Sequence, residues 1–155
     1  MLIRILIIGE TQSREIDKLL DDYMGRLKHY ARVELKYLKY KSKKKNNPDY
    51  QTEKEGELIL NEVQAGSHFV LLDEKGKSHS SMSFAKFMQK QLMSGKQELV
   101  FGIGGAYGFS KAVYQRADAK LALSQMTFTH QMVRLIFVEQ LYRAFTILKG
   151  EKYHH

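Results

Sequence analysis

Apolar runs of strand length alternate with stretches of helical period along the whole chain. Residues 2–9 begin with Leu2, Ile3, Ile5, Leu6, Ile7 and Ile8 and close on Gly9, the pattern of a strand buried on both faces. Ser13 stands where a helix N-cap belongs, and Ile16, Leu19, Leu20, Tyr23, Leu27 and Tyr30 recur behind it at helical spacing. Val33, Leu35, Tyr37 and Tyr40 predict a second strand, roughly alternating with Glu34, Lys36 and Lys39. A lysine-rich stretch and the turn-like Asn46-Asn47-Pro48-Asp49 separate it from a helix over 52–63, with Leu58, Ile59 and Val63 on its apolar side.

Residues 69–72 read as a third strand, closed by Asp73 and a turn around Gly76. Ser83 is placed to cap a helix that runs through Leu92 and Met93 and ends at Gly95. A strand over 99–101 enters a glycine-rich bend, and Ser110 starts a short helix to Ala117. A strand over 121–123 leads through a polar bend ending at Thr129. The helix predicted over 131–149 is apolar nearly all round and so should be buried, with Gly150 as its C-terminal cap. This alternation predicts an α/β fold, a mostly parallel sheet with helices on both faces. Ligands of such sheets sit beyond the carboxyl ends of the strands, which directs attention to the bends after Leu72, Phe101 and Leu123. Without repeats, low-complexity tracts or linkers, residues 1–155 read as one domain.

Composition narrows the chemistry. A chain of 155 residues is large enough to bury roughly 68–70% of its extended surface, so no staples are required. With no cysteine there is no disulfide, thiolate metal site or cysteine nucleophile, and the six histidines show no paired spacing for zinc, so no metal is expected. The first apolar run is broken by Arg4 and too short for a signal segment, and no stretch approaches the ~20 apolar residues of a membrane span. A soluble, cytoplasmic chain with no membrane partner is the expectation. A formal charge of +8 and a pI near 9.5 favour polyanionic partners. Six lysines (Lys36, Lys39, Lys41, Lys43, Lys44 and Lys45) fall within ten residues. Of these, Lys41, Lys43, Lys44 and Lys45 are the candidate RNA phosphate contacts, since clustered lysines hold phosphates without reading sequence; a solvated loop is the bland alternative.

Familiar nucleotide motifs fail on inspection. Gly76-Lys77-Ser78 ends like a P-loop, but the required earlier glycine is replaced by Leu71. In the bend Gly102-Ile103-Gly104-Gly105-Ala106-Tyr107-Gly108 the third glycine of a dinucleotide fingerprint is displaced by Tyr107. The loop after the first strand, residues 9–13, is no fingerprint either, and no nucleophile elbow is present. Four glycines in seven residues nevertheless cost conformational entropy unless backbone must approach something closely or adopt positive φ.

Residues 99–110 (LVFGIGGAYGFS), 123–130 (LSQMTFTH) and 139–155 (EQLYRAFTILKGEKYHH), in this order, resemble the ribosomal RNA large subunit methyltransferase H family, small members of the SPOUT class. The resemblance covers the chain end to end. It implies a homodimer, a C-terminal trefoil knot and S-adenosyl-L-methionine held in the knot. It also implies methylation at N3 of a pseudouridine in 23S rRNA, on assembled ribosomes. Carried over by position, it assigns cofactor binding to Leu72, Gly104, Gly105, Leu123, Ser124, Gln125, Met126, Thr127 and Phe128, and catalysis to His130, Arg134, Tyr153 and His154. Each apolar residue among these has core packing as its alternative. His130 has helix capping, Arg134 has a carboxylate or carbonyl partner, and Glu139 with Arg143 reads as an i,i+4 ion pair. Tyr153, His154 and His155 follow the Gly150 cap and are expected to reach outward. The family often carries proline before its histidine, where this chain has Thr129. A basic ribosome- or RNA-binding protein without catalysis is the competing reading, and affinity for the methyl donor separates the two.

Overall fold

The computed structural model describes residues 1–41 and 47–155. Five strands, β1 (Leu2–Ile8), β2 (Arg32–Leu38), β3 (His68–Ser78), β4 (Glu98–Ile103) and β5 (Ala119–Ala122), form one sheet in the order β2-β1-β4-β3-β5. Every pairing is parallel. The connections are α1 (Arg14–Leu27), α2 (Pro48–Glu62), α3 (Ser81–Leu92) and α4 (Lys111–Arg116), and α5 (His130–Leu148) follows β5.

Two-residue alternation in the strands builds two cores. Ile3, Ile5, Ile7, Val70, Leu72, Leu99, Phe101 and Ile103 face one side, where Leu20 and Leu27 of α1, Phe84 and Met88 of α3, and Phe137, Val138 and Leu141 of α5 cover them. Leu6, Ile8, Phe69, Leu71 and Val100 face the other side, covered by Ile59 of α2 and Val113 of α4. The inner strands are therefore apolar on both faces. Edge strand β2 keeps Arg32, Glu34 and Lys36 toward solvent.

Local chemistry sets the helix starts. Ser13 Oγ accepts from Ile16 N, Ser110 Oγ from Val113 N, and Thr129 Oγ1 from Met132 N, each at 3.3 Å. Two starts differ from expectation. Asn47 is an N-cap rather than part of a turn, its Oδ1 accepting from Tyr50 N at 2.7 Å, and Pro48 occupies the first helical position, where its missing N–H costs nothing. Ser80, not Ser83, caps α3, so that helix begins a turn earlier. Gly150 closes α5 at φ +70°, with Gly150 N donating to Ile147 O and Glu151 N to Thr146 O, as expected of a glycine cap.

Strand β3 does not stop at Leu72. Residues 73–76 leave the ladder and the strand returns, so that Leu121 of β5 pairs with both Leu72 and Lys77. Gly76 lies against that passage: a Cβ there would sit 2.5 Å from Leu121 N, which excludes every other residue type. At the other end of β5, Asp118 N donates to Phe69 O at 2.8 Å while Asp118 Oδ2 accepts from Phe69 N at 2.7 Å.

Burial works against ionisation of Asp118, but the Phe69 amide, Arg116 and His68 outweigh it and hold the carboxyl below its usual range. A depressed carboxylate contributes stability that is present above the unfolded value, about 4, and is lost as pH falls through the lower folded value. Asp118→Ala is expected to cost about 1 kcal/mol at neutral pH, less than the roughly 1.5–3 kcal/mol of a hydrogen bond to a charged group because the side chain is partly exposed. Urea unfolding from pH 7 downward should show that deficit closing in acid.

Candidate active site

A crevice of about 570 Å³ opens beyond the carboxyl ends of β3, β4 and β5, within the range for small-molecule sites. Three bends build it. Leu72 and Asp73 come from β3, residues 103–109 from the glycine bend after β4, and Leu123, Ser124, Met126, Thr127 and Phe128 from the segment after β5. His130 and Val133 add the first turn of α5. The cofactor residues expected from sequence therefore meet in one place, except that Gln125 is exposed and outside the lining. The walls are apolar at Leu72, Leu121, Leu123, Phe109 and Val133.

The glycines of the bend behave differently from a simple ligand-approach reading. Only Gly108 has positive φ (+77°). A Cβ on Gly102 would meet the Phe69 ring at 3.1 Å, and one on Gly104 would meet Gly108 O at 3.1 Å. A Cβ on Gly105 would meet Glu55 Oε2 at 2.9 Å. The missing side chains make room for the protein's own groups, so the bend can fold tightly on itself with Gly108 N donating to Gly105 O at 3.2 Å.

Acidic and phenolic groups stand at the rim. Tyr114 on α4 donates its hydroxyl to Asp73 Oδ2, and burial followed by this bond pushes the phenol up to about 12. Sequence reasoning missed both residues, because α4 approaches β3 only in the folded chain.

His130 is exposed at the mouth of the crevice and is not the cap; Thr129 is. Arg134, one turn on, is 1% exposed. Its Nη2 donates to Ile8 O (2.9 Å), Nη1 to Thr11 Oγ1 (3.1 Å) and Nε to His130 O (3.0 Å). Burial lowers its pKa, partly countered by Tyr37, and no ion pair among the described residues involves it.

The tail departs from expectation. Tyr153 folds back on its own helix, donating its hydroxyl to Glu139 Oε1 at 3.0 Å, with Tyr23 Oη at 3.2 Å and its ring edge-on to Tyr142. Burial, then Tyr23 and Glu139, raise its pKa. Apolar contact and these polar partners outweigh freedom in solvent. Glu139 also pairs with Arg143 at 2.6 Å, the ion pair read from sequence. Level with Glu139, the Tyr153 hydroxyl stands about 13 Å along the axis from His130, at 1.5 Å rise per residue. His154 is half-buried, and its Nδ1 has no hydrogen-bond partner among the described residues. α5 is fully buried along only one face; Met132 is 40% exposed, and Leu135 and Ile136 are partly buried.

Of the lysine candidates, Lys41 is exposed, while Lys43, Lys44 and Lys45 lie outside the described residues. Lys36 pairs with Glu62 at 2.7 Å and Lys39 with Glu10, so part of the run's charge is compensated. Among the described residues, no group of acidic and histidine side chains is arranged to hold a metal, and no helix is long and apolar enough to cross a membrane.

The family model described as "Predicted SPOUT methyltransferase" matches residues 1–154. The protein "Ribosomal RNA large subunit methyltransferase H" of Christiangramia forsetii is 53% identical over 156 aligned residues, spanning 100% of this chain and 99% of that one. Its namesakes in Flavobacterium johnsoniae and Parabacteroides distasonis are 49% and 47% identical, at the same coverage. With a methyltransferase family model spanning the crevice, both cores and the tail, and full-length relatives near half identity, this chain belongs to the SPOUT methyltransferases, among the ribosomal RNA large subunit methyltransferase H proteins.

Proposed function

We propose that this chain, as a homodimer, transfers a methyl group from S-adenosyl-L-methionine to N3 of a pseudouridine in 23S rRNA on the assembled ribosome. The observation that carries the reading is the crevice of three converging bends, in a chain aligned end to end with relatives named as large-subunit rRNA methyltransferases. Apolar walls beside a bend of small residues suit an adenosine, with the base edge read by backbone groups. Leu72, Gly104, Gly105, Leu123, Ser124, Met126, Thr127 and Phe128 would hold the methyl donor, whose sulfonium supplies an activated methyl group. The knot that the family implies is favoured by the tight passage of β5 against both stretches of β3.

The chain's own residues then have an imide nitrogen to orient and deprotonate. His130, exposed at the mouth, is placed to take the proton. The buried Arg134 cation behind it favours the resulting anion without needing to touch it. Two observations favour a shared site. The incompletely covered apolar face of α5 is suited to a second copy, and the tail is held too far along α5 to meet its own crevice. In a dimer, Tyr153 and His154 would complete the partner's site, and the unpartnered His154 Nδ1 would find its acceptor or donor there. Lys41 follows β2 at the same end of the parallel sheet as the crevice, where phosphates flanking the target base would lie.

Calorimetry should show S-adenosylmethionine binding, and tritiated methyl donor should label 23S rRNA in assembled ribosomes more than in separated subunits or free RNA. A protein that binds ribosomes but not the donor would be the non-catalytic reading instead. Deleting residues 153–155 should abolish transfer while sparing the dimer and most donor affinity. Mixing that deletion with a Gly105→Val protein should restore part of the activity in heterodimers; no rescue would place the tail's action within one subunit. Replacing Lys43, Lys44 and Lys45 with Ala should lower the salt slope of ribosome binding by about one unit for each phosphate no longer neutralised.

A further inference from the structure

Two buried side-chain polar atoms lack a hydrogen-bond partner among the described residues: His154 Nδ1 and Glu55 Oε2. Glu55 sits on α2, behind the glycine bend and outside the crevice lining, and is 4% exposed. Its Oε1 accepts from Gln51 Nε2 at 2.8 Å, leaving Oε2 turned to the main chain of Gly105. The fit is close enough that a Cβ on Gly105 would lie 2.9 Å from Oε2 and 3.2 Å from Oε1. The next residue, Gly56, is pressed as tightly on the far end of the same loop, where a Cβ would run into Ser110 Oγ. Helix α2 thus backs the bend at both ends, and at one of them places a carboxyl with a free oxygen.

We propose that Glu55 is a positioning residue for the methyl-donor site, its carboxyl holding the 104–108 main chain from behind in the shape that receives the donor. This rests on the reading of the crevice given above. No ion pair among the described residues involves Glu55, and burial raises its pKa despite the Gln51 bond. The oxygen left over faces Gly105, and it is an acceptor available to a main-chain N–H of the bend.

The discriminating series is Glu55→Gln, which keeps a donor and an acceptor in nearly the same volume, against Glu55→Leu, which keeps the volume alone. Amide exchange of residues 104–108 is measured without ligand, and S-adenosylmethionine affinity by calorimetry. Glu55→Leu is expected to speed exchange across the bend at least about tenfold and to weaken donor binding by a similar factor, while Glu55→Gln stays within about threefold of the parent in both. Bend exchange unchanged in Glu55→Leu, or Glu55→Gln as impaired as Glu55→Leu, would overturn the proposal. Should Glu55→Leu fail to fold, Gly105→Ala gives the second test, since its Cβ strikes the carboxyl. Gly105→Ala combined with Glu55→Ala should then be no worse than Glu55→Ala alone, and additive losses would overturn the link. If the parent protein binds no donor, the functional reading fails by itself, while ligand-free exchange still judges Glu55.

Discussion

The site depends on one short strand whose central residue is paired twice by the same neighbour. Leu121 is bonded across the ladder by Leu72 before residues 73–76 depart and by Lys77 after they return. That arrangement fixes where β5 ends, and with it the origin of residues 123–128. It also sets Leu72 and Asp73 on one wall of the crevice and brings Asp73 to Tyr114. The close approach at Gly76 leaves no room for even one additional carbon, so the chain can bring these segments together in only one register. A four-residue strand at a sheet edge would otherwise be a weak anchor; the double pairing and the Asp118–Phe69 exchange hold it at both ends.

Features governed by near neighbours were legible in the sequence. Ser13, Ser110 and Gly150 do what their positions foretell, because a cap involves only residues three or four apart. The strands showed as apolar runs, since inner parallel strands are buried on both faces. Where two signals competed locally, the reading slipped: Ser80 and Ser83 both qualify as caps, and Asn47-Pro48 looks the same opening a helix as making a turn. The continuation of β3 past Leu72 was invisible because Asp73-Glu74-Lys75-Gly76 is turn-like, and only β5, over forty residues later, draws the strand back into pairing.

The site was legible as a set of segments and much less as a set of roles. The glycine bend, Leu72 and residues 123–128 converge, yet the direction of the absent Cβ atoms was a tertiary fact, and it turned out to favour packing inside the protein. Glu55 lies in Glu53-Lys54-Glu55-Gly56-Glu57, a run that reads as solvated; the one available hint was Gly56, which costs about 1 kcal/mol in mid-helix and so implies close approach by another segment. The tail's return onto Glu139 and Tyr23 likewise needed the third dimension.

Arg134 has a further consequence for the electrostatics of the crevice. Its three nitrogens each donate to a carbonyl or hydroxyl oxygen, at Ile8, Thr11 and His130, so none of these partners cancels its charge. Charges at the rim, such as Glu74 and Lys75, are exposed and fade within about 8–10 Å at ordinary ionic strength. The arginine is shut away from counterions and feels little of that screening. The surface lysines that gather a polyanion therefore lose their reach in concentrated salt, whereas the positive field behind His130 is a permanent property of the fold, set by geometry and indifferent to the medium.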